Sequence, residues 1–556
     1  MAGFVSIERI AYGSWQALER MIARLAQHAG FKDVAIVGGS GDHGADVVGV
    51  MNGERWVFQA KYRNTGGTDA AGVNEVIYAA SKYGAKTAVL ATNTYFLQDA
   101  YAVQNEKKEA GLDLRLWNGD NLLSYFEKIK TESAAKRTLR QYQYEAVEAV
   151  ESSRSMGQTR ALVVMATGLG KSLVANQLMA NELERNKNQE ILVVAHMNEL
   201  VRQLELSSWP QLEKQYSTHL WTDGEYPAYS GGVVFATWQS LFSAMQRGDG
   251  NLHERFGLVI VDEAHHAPSI AFTELLEYLS PRFLVGLTAT PWRGDNKSLY
   301  SLFGEPVFSL DIVQGMQMGY LAEVDYRMLI DGIDWDEVSR TSKQGLTVSD
   351  LNRYLLVPER DMGMVDTVCQ KMNSMANPRA LAFCRSIEHA ERLKPLFTAN
   401  GIKTAVLHSQ LPRELRFKNL SSFRAGHIEL LISIEMLNEG IDVPEVNLVA
   451  FMRVTHSRRI FLQQLGRGLR ISPGKGKVLV LDFVADIRRI AAGIQINRTA
   501  MERVANVEVV RYRDGNIVKF NNDLPLQFFD QYLADISKFE EIDDGARLKF
   551  PDENSV

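Results

Sequence analysis

A lysine and a serine that close Met165-Ala166-Thr167-Gly168-Leu169-Gly170-Lys171-Ser172 are well suited to gripping phosphates. The octapeptide follows an apolar run over 161–164 and precedes a helical pattern over 173–183. In a strand–loop–helix setting, the glycines let backbone N–H groups approach phosphate oxygens. Lys171 then reaches the outer phosphates, and the Ser172 hydroxyl can hold Mg²⁺. Met165 stands where the general phosphate-loop pattern has its first glycine, and a plain glycine-rich turn is the simpler alternative. A second apolar run, Leu258-Val259-Ile260-Val261, ends in Asp262-Glu263-Ala264-His265. Asp262 is placed to hold Mg²⁺ through water and Glu263 to activate an attacking water. A solvated acidic loop is the alternative, and four β-formers directly before the pair argue against it.

Near the amino terminus a different chemistry is possible. Asn52-Gly53 is the preferred dipeptide of a two-residue type I′ turn. A turn that tight sets Asp46 opposite Gln59, with Lys61 two residues further along the same sheet face. One carboxylate, one amide and one ammonium thus gather at one end of a sheet. Asp46 would ligate Mg²⁺, a nearby carbonyl oxygen could add a ligand, and Lys61 would orient water or neutralise developing charge. Glu19, beside the apolar stripe of a predicted helix, is a candidate extra carboxylate. Taken singly, each has a duller role: a strand-start cap, a solvated strand end, a helix-surface charge.

These residues need rigid elements beneath them. Trp15, Leu18, Ile22 and Leu25 recur at helical spacing, which predicts an amphipathic helix over about 14–28 that Gly30 ends. A strand over 34–37, a glycine-rich loop over 38–44 and the hairpin follow. That loop lacks the full dinucleotide fingerprint, and no helix is predicted to begin there. Through most of the chain, β-rich runs alternate with helical patterns, the signature of α/β domains with parallel sheets. The 556 residues suggest about three to four domains. The expected units are 1–130, 131–312, 313–490 and a tail over 491–556 that ends in an acidic polar stretch, 540–544 and 551–556, expected to be mobile.

Here the motifs resemble those of the superfamily 2 helicases and translocases, in order from about 139 to 470. Leu139-Arg140-Gln141-Tyr142-Gln143 is similar to the adenine-reading motif, with Gln143 the reader. The phosphate loop is similar to motif I, so the resemblance assigns ATP to Thr167, Gly168, Gly170, Lys171 and Ser172. Ala195-His196-Met197-Asn198-Glu199-Leu200 and Thr237-Trp238-Gln239-Ser240 sit where motifs Ia and Ib contact a nucleic-acid backbone. Asp262-Glu263-Ala264-His265 resembles motif II and Thr288-Ala289-Thr290-Pro291 motif III. Asn438-Glu439-Gly440-Ile441-Asp442-Val443-Pro444 is similar to motif V, which puts Gly440 and Asp442 at the nucleotide. Gln463-Gln464-Leu465-Gly466-Arg467-Gly468-Leu469-Arg470 resembles motif VI. Arg467 and Arg470 lie three apart after a helical run, hence on one face, and suit arginine fingers that stabilise the phosphoryl-transfer transition state. A surface ion pair is the alternative for an isolated arginine pair.

The amino-terminal residues, over about 10–128, resemble the Mrr-type restriction-endonuclease fold. Asp42-x-Gly44-x-Asp46 followed by Gln59-x-Lys61 is similar to that family's catalytic core, with Gln59 replacing the second acidic residue of the wider PD-(D/E)XK pattern. The resemblance implies an α/β architecture in which a PD-(D/E)XK domain precedes two RecA-like motor lobes. It implies an ATP-driven helicase or translocase fused to an Mg²⁺-dependent DNA endonuclease, in restriction or defence against foreign DNA. Its partner would be double-stranded DNA tracked along one strand, with further protein partners left open. Two alternatives remain: a repair or remodelling helicase whose first domain only binds DNA, and an RNA helicase. A motif VI reading QQLGRGLR and little chain after about 490 argue against the DEAH-box RNA helicases.

Composition sets outer bounds. At 46% hydrophobic and 23% charged the chain excludes collagen-like, coiled-coil and wholly disordered classes. No apolar run approaches the roughly 20 residues that span a bilayer, so no membrane partner is expected. The start lacks a signal-peptide pattern, and two cysteines cannot build a disulfide framework or a cysteine zinc site, which points to the cytoplasm. A net charge of -6 taken alone predicts no nucleic-acid partner, against the motifs.

Overall fold

The computed structural model describes residues 3–38, 44–186, 189–222, 224–227, 229–248, 251–267, 269–289, 296–328, 346–347, 361–384, 386–408, 410–434, 445–452, 477–483, 510–512 and 547–548. It opens with α1 (Ile7–Tyr12) and α2 (Trp15–His28). Ser14 starts α2 by accepting a hydrogen bond from Ala17 N, and Gly30, at φ 99°, lets the chain turn away after it. Next come β1 (Lys32–Ile36), β2 (Val47–Met51), β3 (Glu54–Lys61), α3 (Ala70–Tyr83), β4 (Thr87–Thr92), α4 (Gln98–Glu109), β5 (Asp113–Trp117) and α5 (Gly119–Lys128). The five strands form one sheet in sequence order. The first three are antiparallel, and β3, β4 and β5 run parallel.

Asn52 and Gly53 both have positive φ, at 52° and 81°, as a type I′ turn requires. Val47 consequently faces Phe58 and Met51 faces Glu54, the register that the dipeptide predicts. Alternation then sorts the side chains by face. Val47, Phe58, Val89 and Trp117 pack with Leu18, Ile22 and Leu25 of α2, while Val48, Val57, Leu90 and Leu114 pack with Val73, Val76 and Ala80 of α3. Asp46, Gln59 and Lys61 keep step with the second set, on the α3 side.

Further along lie α6 (Gln141–Ser155), β6 (Arg160–Met165), α7 (Lys171–Arg185), β7 (Glu190–Ala195), α8 (Asn198–Ser208), β8 (Thr218–Trp221), β9 (Val233–Thr237), α9 (Trp238–Arg247), β10 (Phe256–Asp262), α10 (Ile270–Leu279), β11 (Phe283–Thr288) and β12 (Pro306–Leu310). The sheet order is β12-β6-β11-β10-β7-β9-β8. From β11 to β8 all neighbours are parallel, and β7, β9 and β10 are buried at every position, as strands covered on both faces must be.

A third sheet is built from β13 (Glu323–Met328), β15 (Ala380–Phe383), β16 (Thr404–Leu407), β17 (Leu430–Ser433), β18 (Leu448–Phe451), β19 (Lys477–Asp482) and β20 (Val510–Tyr512), with β14 (Leu346–Thr347) and β21 (Arg547–Leu548) forming a separate pair. Its order is β16-β17-β15-β18-β19-β13-β20, parallel throughout. The fold is therefore the α/β class with parallel sheets that the alternation of patterns predicts.

By packing, the chain divides into two compact units, one of residues 1–162, 172–287 and 411–418, the other of 163–171, 288–410 and 419–556. Among the described residues no helix is long and apolar enough to cross a membrane.

Candidate active sites

The hairpin delivers Asp46, Gln59 and Lys61 to one cavity of about 750 Å³. Asp46 is held in place by its backbone: its N–H donates to Phe58 O at 2.9 Å, and its Oδ2 accepts from Ala60 N at 2.6 Å. Its Oδ1 and the Oε2 of Glu19, carried by α2, approach one point. Gly38 marks the meeting point. A Cβ there would stand 3.2 Å from both Asp46 Oδ1 and Glu19 Oε2, so only a glycine leaves the space between the carboxylates open. Both side chains are buried.

On the other side of Asp46 stands a carboxylate that the sequence reading missed. Glu75, on α3, accepts from Gln59 Nε2 at 2.8 Å and pairs with Lys61 Nζ. Burial alone would raise its carboxyl, but the bonds from Lys61 and Gln59 outweigh that and hold it below its ordinary value. A signal was available. Ala71, Asn74, Glu75 and Tyr78, at i, i+3, i+4 and i+7 of the helical run, make one polar-leaning stripe along this cavity, while Val73, Val76 and Ala80 turn to the core. Gly44, at φ 86°, belongs to the same wall: a Cβ there would come within 3.2 Å of Gln59 Nε2 and of Glu75 O.

The carboxylate pair at Gly38 fits a divalent cation, since two buried carboxylates each bring an oxygen near one point. Among the described residues no group of three or more His, Cys, Asp and Glu side chains has metal-holding geometry. With Gln59 in place of an acidic residue and Glu75 engaged by Lys61, Glu19 and Asp46 are the two candidate carboxylate ligands.

The phosphate loop lies between β6 and α7. Gly168 and Gly170 adopt φ of 94° and 82°, conformations that L side chains rarely take, and Leu169 between them is buried. Ala166 N donates to Leu310 O at 2.9 Å, and Lys171 Nζ lies 3.4 Å from Met165 O. Ser172, in the first turn of α7, follows directly. Gln143 is buried on α6, where its Oε1 accepts from Arg140 N at 2.9 Å and satisfies a backbone donor at the helix start. The adenine reader of the resemblance thus also fixes the start of its own helix.

Asp262 ends β10 and Glu263 follows at φ 48° and ψ 52°, a left-handed conformation that costs a non-glycine residue energy. Its Oε2 lies 3.3 Å from Nδ1 of the buried His265. Strain of this kind is kept where surrounding structure holds a side chain for a task. The two segments expected to contact a nucleic-acid backbone are joined to each other. Gln239 Nε2 donates to His196 O at 3.2 Å, while Thr222 Oγ1 bonds Asn198 and lies 3.3 Å from Thr237 Oγ1, itself 2.8 Å from Ser240 Oγ. Gly440, Asp442, Arg467 and Arg470 lie outside the described residues, as do Asp42, Thr290 and Pro291.

Comparison with known proteins gives three stretches of the chain a counterpart. Residues 10–126 match the model described as "Restriction endonuclease", of the Mrr catalytic type. Residues 136–293 match "Type III restriction enzyme, res subunit", and residues 363–472 match "Helicase conserved C-terminal domain". The chain is 26% identical over 453 residues to the Type I restriction enzyme EcoAI endonuclease subunit of Escherichia coli, covering 71% of this chain and 54% of that one. It is 24% identical over 376 residues to the DNA 3'-5' translocase XPB2 of Sulfurisphaera tokodaii, covering 60% and 79%. The chain spans about half the length of the first curated relatives it matches. Its fold resembles that of the ATP-dependent Type ISP restriction-modification enzyme LlaBIII bound to DNA, with a TM-score of 0.56, 18% identity and coverage of 98% of this chain and 42% of that one.

Proposed function

We propose that this chain, an Mrr-type restriction-endonuclease domain joined to a superfamily 2 helicase motor, hydrolyses ATP to move along DNA and cuts that DNA with its first domain. The observation that carries the reading is the convergence of Asp46, Gln59, Lys61 and Glu75 on one cavity, with Glu19 close to Asp46 beside Gly38. A module that only binds DNA has no use for two buried carboxylates held around a space that a single Cβ would fill. Boundaries near 130, 312 and 490 separate the nuclease, the two motor lobes and a tail.

In the motor, the backbone amides around Gly168 and Gly170 cradle the phosphates, Lys171 neutralises the outer ones, and Thr167 completes the loop. Gln143 reads the adenine. Ser172 and Asp262 hold the Mg²⁺ of the nucleotide, and Glu263 takes the proton of the attacking water. Arg467 and Arg470 stabilise the transition state, with Gly440 and Asp442 beside the nucleotide. In the nuclease, Asp46 and Glu19 hold a cation, for which we propose Mg²⁺. Bound there, the ion would lower the pKa of a water and stabilise charge on the phosphate. Lys61 lies next to the scissile phosphate and donates to its developing charge, while Glu75 and Gln59 keep the lysine in place. The substrate is double-stranded DNA tracked along one strand, and the setting is cytoplasmic defence against foreign DNA, alone or with protein partners.

The test is incubation with DNA and with RNA, in the presence of ATP and Mg²⁺, following phosphate release and polymer length together. ATP hydrolysis stimulated by DNA, accompanied by DNA shortening, is the expected result. Stimulation without any shortening over a range of divalent metals would support the repair-helicase alternative, and stimulation by RNA alone the RNA-helicase one.

A further inference from the structure

Helix α2 carries Glu19 to the proposed nuclease centre, and its next residue grips the motor. The Arg20 guanidinium bonds Glu225, and its Nε lies 3.5 Å from Glu205 Oε2. Both acceptors are buried, and Glu225 also accepts from Arg202 Nη1 at 3.0 Å. One turn later Arg24 donates to Glu213 O at 3.3 Å, which fixes α2 at a second point. A helix held at two places turns as a body, so a displacement at Arg20 is felt at Glu19.

The acceptor side leads back to the segments that resemble DNA-backbone motifs. Glu225 and Thr222 exchange backbone hydrogen bonds, Glu225 N to Thr222 O at 2.9 Å and Thr222 N to Glu225 O at 3.2 Å. The Thr222 hydroxyl in turn bonds Asn198 at the start of α8 and lies 3.3 Å from Thr237 Oγ1 at the end of β9. An unbroken series of polar contacts therefore runs from Asn198 and Thr237 through Thr222, Glu225 and Arg20 to the residue beside Glu19.

We propose that Arg20 is a positioning residue through which the motor's strand-contacting segments set the placement of Glu19 against Asp46, so that cleavage responds to engagement of the strand. The inference rests on the nuclease reading above and deepens it. Arg20 touches no reacting atom; its effect reaches the phosphodiester through Glu19 alone. Partners one step removed from a metal ligand commonly change metal affinity or activity by about 10–100-fold when lost. Breaking one member of a buried ion pair can also unfold a protein, so the substitutions are chosen to keep bulk.

In the full chain, Arg20→Met is expected to raise the Mg²⁺ midpoint of DNA cleavage about tenfold while DNA-stimulated ATP hydrolysis stays at the parent level. Glu225→Gln is expected to act likewise, and the double variant to be no worse than either single one, because both act on one path. Arg20→Lys keeps the charge without the two-pronged fork and is expected to fall between parent and Arg20→Met. It carries the test if Arg20→Met fails to fold. An unchanged Mg²⁺ midpoint in folded variants, or single effects that multiply in the double variant, would overturn the proposal. A parent protein that cuts no DNA would instead overturn the nuclease reading beneath it.

Discussion

Glu75 gives the proposed nuclease centre its local electrostatics, because the lysine expected to meet the phosphate is already paired with it. Its folded carboxyl is depressed, so the ion pair is fully present above the ordinary glutamate range and is lost as pH falls through the lowered value. Cleavage should accordingly decline on acidification, and Glu75→Gln should cut about 10–100-fold more slowly at neutral pH with ATP hydrolysis intact, read from parallel cleavage and phosphate-release assays. Parent-like cutting by Glu75→Gln would mean that Lys61 needs no carboxylate to hold it. Lys171→Ala should lower ATP hydrolysis by at least about a hundredfold, since the positive charge on the outer phosphates is removed from a site built around them. Asp46, Gln59 and Lys61 were legible from the sequence because one tight turn fixes their register. For Glu75 the helical stripe was visible but its partners were not, since they depend on how α3 packs across β3 and β4, a contact sixteen residues away that no hairpin rule sets.

Between the elements, the segment over 131–136 reads in the sequence as a polar connector, yet the structure closes a seam there. Lys214 Nζ donates to Phe126 O at 3.0 Å and Ile129 O at 2.8 Å, satisfying carbonyls at the end of α5, and Phe4 N donates to Lys214 O at 3.0 Å. Trp209, after α8, is buried in the same apolar cluster as Leu18, Ile22 and Phe58 of the first sheet and its helix. Periodicity could predict each helix and strand here, because 3.6- and 2-residue patterns are local. It could not predict that an aromatic residue from α8's end would complete another sheet's core. Trp209→Ala should cost about 3–5 kcal/mol and separate one calorimetric transition into two; a single, unshifted transition would show that the seam contributes little. His219, on β8 and against this seam, is pushed down to about 4 by burial, with Arg9 adding to the effect. Its stabilising contribution is complete above the unfolded value near 6.5 and is lost as pH falls toward about 4. Up to about 3 kcal/mol should disappear across that window, measured as denaturant midpoints, and His219→Asn should flatten the dependence.

Among the described residues, three large sheets follow one another along the chain, and two of them carry the ordered motifs of a motor. A net charge of -6 points away from nucleic acid, but it averages the proposed catalytic carboxylates and an acidic tail over local donors. Motors hold phosphates with a few backbone amides and cations, so the motif order carries the functional information and bulk charge does not. The sequence order of the sheets was readable because parallel α/β units alternate along the chain. The side-to-side strand order was not, since crossovers place β6 between β11 and β12 without any local signal. The central claim is that one chain holds two separable chemistries, ATP turnover through Lys171 and phosphodiester cleavage through Asp46. Its most direct test follows circular and linear DNA length together with ATP loss for the parent, Asp46→Ala and Lys171→Ala proteins in Mg²⁺. The account predicts that Asp46→Ala hydrolyses ATP in response to DNA but leaves the DNA intact, while Lys171→Ala loses ATP turnover. DNA cut by Asp46→Ala as fast as by the parent would contradict it.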